Sequence, residues 1–120
     1  MIIAGRILTA IVRRALIALC FFVSCMKLSA QVNTDNVTIM GRNALGAEDY
    51  VTAIHYFSQV IGAKPFLDKP YYYRAFAKYS LDDFGGAVAD CSRSIEINPY
   101  QIEVYQLRGL CYSNLRKFDE

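Results

Sequence analysis

Residues 71–101, YYYRAFAKYSLDDFGGAVADCSRSIEINPYQ, carry the pattern that decides the fold. They read as a helical hairpin: a first helix from Tyr71 to Leu81, a turn at Asp82-Asp83, and a second helix from Phe84 to Ile97 that Asn98-Pro99 stops. A proline disfavours helical geometry in the residue before it, so Pro99 ends the helix at Asn98.

The landmarks of this hairpin recur one period away on both sides. Pro65 and Pro99, Ala53 and Ala87, and Ile61 and Ile95 are each 34 residues apart. Tyr50, Phe84 and Phe118 keep the same spacing, as do Gly41, Ala75 and Gly109. Tyr71 maps to Tyr105, Arg74 to Arg108 and Leu81 to Leu115. A period of about 34 residues with small residues, aromatics and a closing proline at these places resembles the tetratricopeptide (TPR) repeat. The resemblance implies an all-α, TPR-type helical-hairpin solenoid of about two and a half repeats. The first repeat is 34–67, the second 68–101, and 102–120 is the first helix of a truncated third. The ending after that helix leads us to expect a piece of a longer array, since terminal repeats usually carry a polar cap. Departures are Ala44 and Cys91 at aromatic positions, and Arg74 and Arg108 at the usual Leu position.

The residues explain the pattern in physical terms. Small side chains at Gly41 and Ala53, and at Ala75 and Ala87, let paired helices approach closely. Asp49, Asp83 and Asp68 stand where a carboxylate can cap the helix that follows. Gly85-Gly86 is the expected weak spot, each glycine costing about 1 kcal/mol relative to alanine inside a helix.

Residues 1–30 differ from the rest. Arg6, Arg13 and Arg14 precede the apolar run Ala15 to Met26, with no acidic residue. That run is shorter than the ~20 residues a spanning helix needs. A basic start, a short apolar core and a small residue at the end read as a secretory signal peptide, cleaved after Ala30. Lipidation at Cys25 and an uncleaved anchor rank second and third. Residues 31–33 are then a short polar lead-in. Removing 1–30 takes four of the 13 basic residues and none of the 11 acidic ones, leaving a net charge of −2. No clustered basic face remains, so no nucleic-acid partner is expected. The expected location is exported, periplasmic or secreted in a bacterium, with a membrane contact only through lipidation or an uncleaved signal.

Catalytic and cofactor patterns are missing from the sequence. His55 is the single histidine, and Gly85-Gly86 follows a turn and not a strand, so it is no phosphate loop. We expect no enzyme, no cofactor, no metal and no small-molecule substrate. Cys91 and Cys111 lie on predicted neighbouring helices and can form a disulfide in an exported protein; the plainer reading is two small core residues.

The TPR resemblance implies that first helices line a concave groove that binds a protein or peptide partner. Tyr72, Phe76 and Tyr79 then form an aromatic platform, with Arg42 and Lys69 at its rim. The rival reading is packing against the next repeat. Chaperone-binding TPR domains hold a terminal carboxylate with Lys, Arg and Asn. Here Thr38, Tyr73, Glu103 and Leu107 fall near those places, so binding of that kind is not expected. Two functions remain: an exported scaffold or adaptor module, or the docking or regulatory N-terminus of a longer exported enzyme or sensor.

Overall fold

A computed structural model describes residues 2–119, apart from the side chains of 28–32 and 118–119. Among the described residues there are five helices and no strand: α1 (Ile2–Gly46), α2 (Tyr50–Ala63), α3 (Asp68–Ser80), α4 (Phe84–Ile97) and α5 (Ile102–Asp119). Contacts divide the chain into two units that meet between Asn33 and Thr34.

In the first unit, Ile2–Lys27 is exposed throughout and has a mean hydropathy of 2.0 in its most apolar window. With its arginines counted, this helix is long and apolar enough to cross a membrane, which the run 15–26 alone is not. Signal sequences and anchors both meet that criterion. The side chains of the expected cleavage junction, Leu28-Ser29-Ala30-Gln31, lie outside the described residues.

From Thr34 onward the helices form hairpins, and each hairpin turn is built from two acidic positions one period apart. Glu48 and Asp82 adopt left-handed backbone, with φ of 58° and 62°. The Asp82 amide donates to the Tyr79 carbonyl at 3.0 Å and the Asp83 amide to Lys78 at 2.9 Å, closing α3 in a Schellman motif. Glu48 and Asp49 make the same pair of bonds to Leu45 and Ala44. The second acidic residue of each turn then caps the next helix. Asp49 Oδ1 accepts from the Thr52 amide at 3.2 Å, and Asp83 Oδ1 from the Gly86 amide at 3.0 Å. Hydrogen bonds from Thr52 hold the Asp49 carboxyl below its ordinary value. One residue thus ends a helix with its amide and starts the next with its side chain, which keeps the turn short.

Asp68 departs from its expected role. It lies inside α3, whose N-cap is Leu67 with no side-chain cap bond. Its carboxylate instead accepts from Asn98 Nδ2 at 2.9 Å and Gln101 Nε2 at 2.6 Å, tying the start of α3 to the loop after α4. The two amides satisfy the carboxylate where a local turn bond was expected. The third repeat also lacks a turn. α5 runs on to Asp119, through positions one period after the 81–83 turn. Arg116 and Lys117 occupy the places of Asp82 and Asp83, and neither side chain can accept a capping N–H.

The core alternates large and small across paired helices. Phe57 on α2 is fully buried, and a Cβ at Gly41 would lie 2.8 Å from its ring. One period on, Ala75 faces a core containing Cys91 at the Phe57 position, both fully buried. The first repeat therefore pairs glycine with phenylalanine, and the second pairs alanine with cysteine. Phe57 stacks on Tyr73 with ring centroids 5.3 Å apart, which joins the first hairpin to α3. Phe84, Ala87, Cys91, Val104, Leu107 and Cys111 form a second cluster that joins α4 to α5. Both cysteines are free thiols in it.

The same polar bonds fasten both junctions between hairpins. The Tyr71 hydroxyl donates to the Pro65 carbonyl at 3.0 Å, and the Tyr105 hydroxyl to Pro99 at 3.1 Å. Arg74 and Arg108 sit over the Tyr71 and Tyr105 rings, 5.9 and 5.5 Å from their centroids. Each arginine also donates to a serine on the preceding hairpin, Ser58 at 3.1 Å and Ser92 at 3.3 Å.

Candidate functional site

On α3 the positions Lys69, Tyr72, Phe76 and Tyr79 recur at helical spacing and so share one face. They are not equally available. Phe76 is 40% exposed, whereas Tyr72 and Tyr79 are half-buried against the α4–α5 cluster. Tyr79 meets Phe84 edge-on at 5.5 Å, within its own hairpin. Tyr72 contacts the Tyr73 ring at 5.6 Å. Burial, followed by the nearby Glu103 charge, pushes the Tyr72 hydroxyl above the usual tyrosine range. Tyr72 also packs against the cluster that holds Val104 and Leu107 of α5, so α3 and α5 lie side by side there. Leu110, one period after Phe76, is 52% exposed on α5, one turn on from exposed Gln106.

Arg42 and Lys69 are exposed, and neither makes a hydrogen bond or ion pair among the described residues. Arg42 lines a shallow depression on α1 with Ile39 and Asn43, about 340 Å³ in volume. Among the described residues no hydrogen bond or ring contact joins Arg42 to the α3 aromatics.

The places that would clasp a terminal carboxylate offer no cation. The Thr38 hydroxyl is turned back to the Thr34 carbonyl at 2.9 Å, and Tyr73 is stacked on Phe57. Leu107 is buried and Glu103 carries a negative charge. The cations of this region point elsewhere. Arg74 makes two bonds to the buried Asp90 carboxylate, at 2.7 and 2.8 Å, and Lys78 reaches the same group at 2.9 Å. This network locks α3 to α4. Asp90 was not singled out from the sequence. The available signal was Arg74 itself, a cation where a leucine is usual, which demands a buried partner.

Other chemistry is sparse. No group of three or more His, Cys, Asp or Glu among the described residues is placed to hold a metal ion. His55 is exposed, with its Nε2 2.8 Å from Gln59 Nε2. Phe66 and Tyr100, one period apart and each following a closing proline, are strongly exposed. That pair also went unread in the sequence, although its spacing is plain.

Comparison with known structures places the fold. The Arabidopsis OM64 TPR domain superposes with a TM-score of 0.69 at 21% identity, covering 72% of each chain. The first TPR of Spaghetti (RPAP3), bound to the HSP90 peptide SRMEEVD, gives 0.66 at 23% identity, over 72% of this chain and 70% of that one. The yeast Sti1 TPR2AB domain in its pHSP90 complex gives 0.68 at 21% identity, over 80% and 39%. The chain therefore has the fold of TPR domains. Among curated proteins, sperm-associated antigen 1 of Rattus norvegicus is 30% identical over 80 residues, which are 67% of this chain and 9% of that protein. Serine/threonine-protein phosphatase T of Aspergillus oryzae is 24% identical over 82 residues, 68% of this chain and 17% of that protein. The chain thus spans less than a fifth of either relative. No family model matches it.

Proposed function

We propose that this chain is an exported TPR interaction module, a scaffold or adaptor whose first-helix face takes an extended peptide or a partner helix. The observation that carries the reading is the exposed Phe76 ring on the face of α3 that also holds half-buried Tyr72, with Leu110 exposed one period later on α5. A large apolar surface held on rigid helices is the kind of anchor from which interfaces draw most of their energy. Peptide complexes among the structural neighbours support the class of partner. The chemistry of the peptide differs: SRMEEVD is acidic, whereas this face offers Glu103 and no paired cations. An apolar or basic-apolar segment suits it better. Export rests on the basic start and apolar run of residues 1–30, followed by a small residue at Ala30.

The phosphatase relative supports a second reading, in which this fold is the docking segment of a longer protein. The test for the first is a displayed random-peptide library panned on the protein, with Phe76→Ala as the counter-target. Enriched sequences should be apolar or basic and should lose at least tenfold in affinity on Phe76→Ala at unchanged melting temperature. Peptides that bind the variant equally well would move the site off this face.

A further inference from the structure

The strongest unassigned chemistry lies in the α4–α5 interface. Cys91 and Cys111 are the cysteines of the second unit, and each is fully buried in the same cluster. Their register follows from a bond already described. Arg108 on α5 donates to Ser92 on α4 at 3.3 Å. The chain turns between these helices at 98–101, and the Tyr105–Pro99 bond closes that turn, so they pack antiparallel. Cys91 is one residue back from Ser92, and Cys111 is three residues on from Arg108. In an antiparallel pair those steps run in the same direction, so both thiols arrive within one helical turn of each other. Both also belong to one buried cluster with Ala75, Phe84, Ala87, Val104 and Leu107.

We propose that Cys91 and Cys111 are a disulfide site that pins α5 to α4 in an oxidising compartment. Each thiol is small and fully buried in the one cluster that α4 and α5 share, and the register brings the two to the same level of the interface, the placement from which a disulfide can close. The oxidant is a small-molecule disulfide such as glutathione disulfide. One cysteine thiolate attacks a sulfur of glutathione disulfide and expels one glutathione thiolate. The second cysteine thiolate attacks the resulting mixed disulfide at the protein sulfur and expels the other. The two protons given up by the protein thiols end on the two glutathione thiolates. Burial, with Cys111 and Asp90 nearby, pushes the Cys91 thiol up to about 12, and burial raises Cys111 as well. The packed thiols are therefore slow to react, and the bond forms as the chain folds or when α5 lifts from α4. Once closed, it fixes α5, and with it the exposed Glu103 and Leu110, to α4, whatever partner that face takes.

The experiment uses the full chain with Cys20→Ser and Cys25→Ser, so that these are its remaining thiols. The protein is refolded from the reduced state in glutathione disulfide with glutathione. The expected product is a monomer lighter by about 2 Da, with the Cys91 and Cys111 peptides cross-linked. Its melting temperature should rise by about 5 °C and return on reduction by dithiothreitol. Cys91→Ala and Cys111→Ala should each abolish the cross-link and the rise. Two thiols still open to alkylation after denaturation, or glutathione adducts or dimers in place of the internal bond, would overturn the proposal. So would a cross-linked product with lowered helicity, because it would mean the bond is incompatible with the native interface.

Discussion

Gly41 and Phe57 are a matched pair, and Ala75 and Cys91 are the same pair rebalanced. In each repeat the first helix comes close to the second where its side chain is smallest. Gly41→Ala puts a methyl into the Phe57 ring, an overpacking that costs about 1–3 kcal/mol. Phe57→Cys empties the same space at about 3 kcal/mol or more. The double variant recreates the arrangement of the second repeat. It should therefore lose less than the two single losses combined, by about 1 kcal/mol, in a urea-unfolding cycle. Additive losses would show that the two positions do not share one space. Arg74 teaches a related lesson. Its place one period before Arg108 was visible in the sequence, but its buried partner was not. Asp90 lies 16 residues away on another helix, and no carboxylate recurs at its place one period earlier, where Tyr56 stands.

At the scale of the element, the hairpin turns were legible and their neighbours less so. Asp49 and Asp83 cap because a carboxylate before a helix has free amides to meet, a local rule that needs no tertiary knowledge. Asp68 satisfies the same local rule and escapes it, because Asn98 and Gln101 compete from a loop 30 or more residues away. The paired glycines of α4 also separate once their surroundings are known. Nothing lies near a Cβ built on Gly85, so Gly85→Ala should stabilise by about 1 kcal/mol. A Cβ on Gly86 would collide with the Asp83 carboxylate that caps the helix. Gly86→Ala should therefore gain clearly less than Gly85→Ala, or lose outright, in thermal or urea unfolding. The first repeat shows the compromise: Thr52 carries a Cβ there, and its cap bond is longer, 3.2 Å against 3.0 Å. Equal gains from the two variants would mean that the cap moves aside freely. The groove was legible only as a row of positions. Which of its aromatics stay open depends on α5, whose packing against Tyr72 is not a local property.

At the scale of the whole molecule, the period was the most legible feature, because side chains at both junctions answer to identical geometry. The tyrosine–proline and arginine–serine contacts repeat residue for residue at the α2–α3 and α4–α5 junctions, and the arginine–tyrosine contact repeats within α3 and within α5. A second copy of residues 68–101, inserted after Gln101, would meet Pro99 and Ser92 with its own tyrosine and arginine. The copy's proline and serine would then receive Tyr105 and Arg108. The lengthened protein should fold, gain helical circular dichroism in proportion to its added residues, and melt at a higher temperature, since each new interface adds to stability. A lower melting temperature would mean that the fastening depends on more than these contacts. The junction behaves as a standard coupling, carried whole within each unit. A tandem gene duplication in frame with that unit delivers the coupling with the copy, so the array can lengthen in one genetic step without any compensating substitution elsewhere.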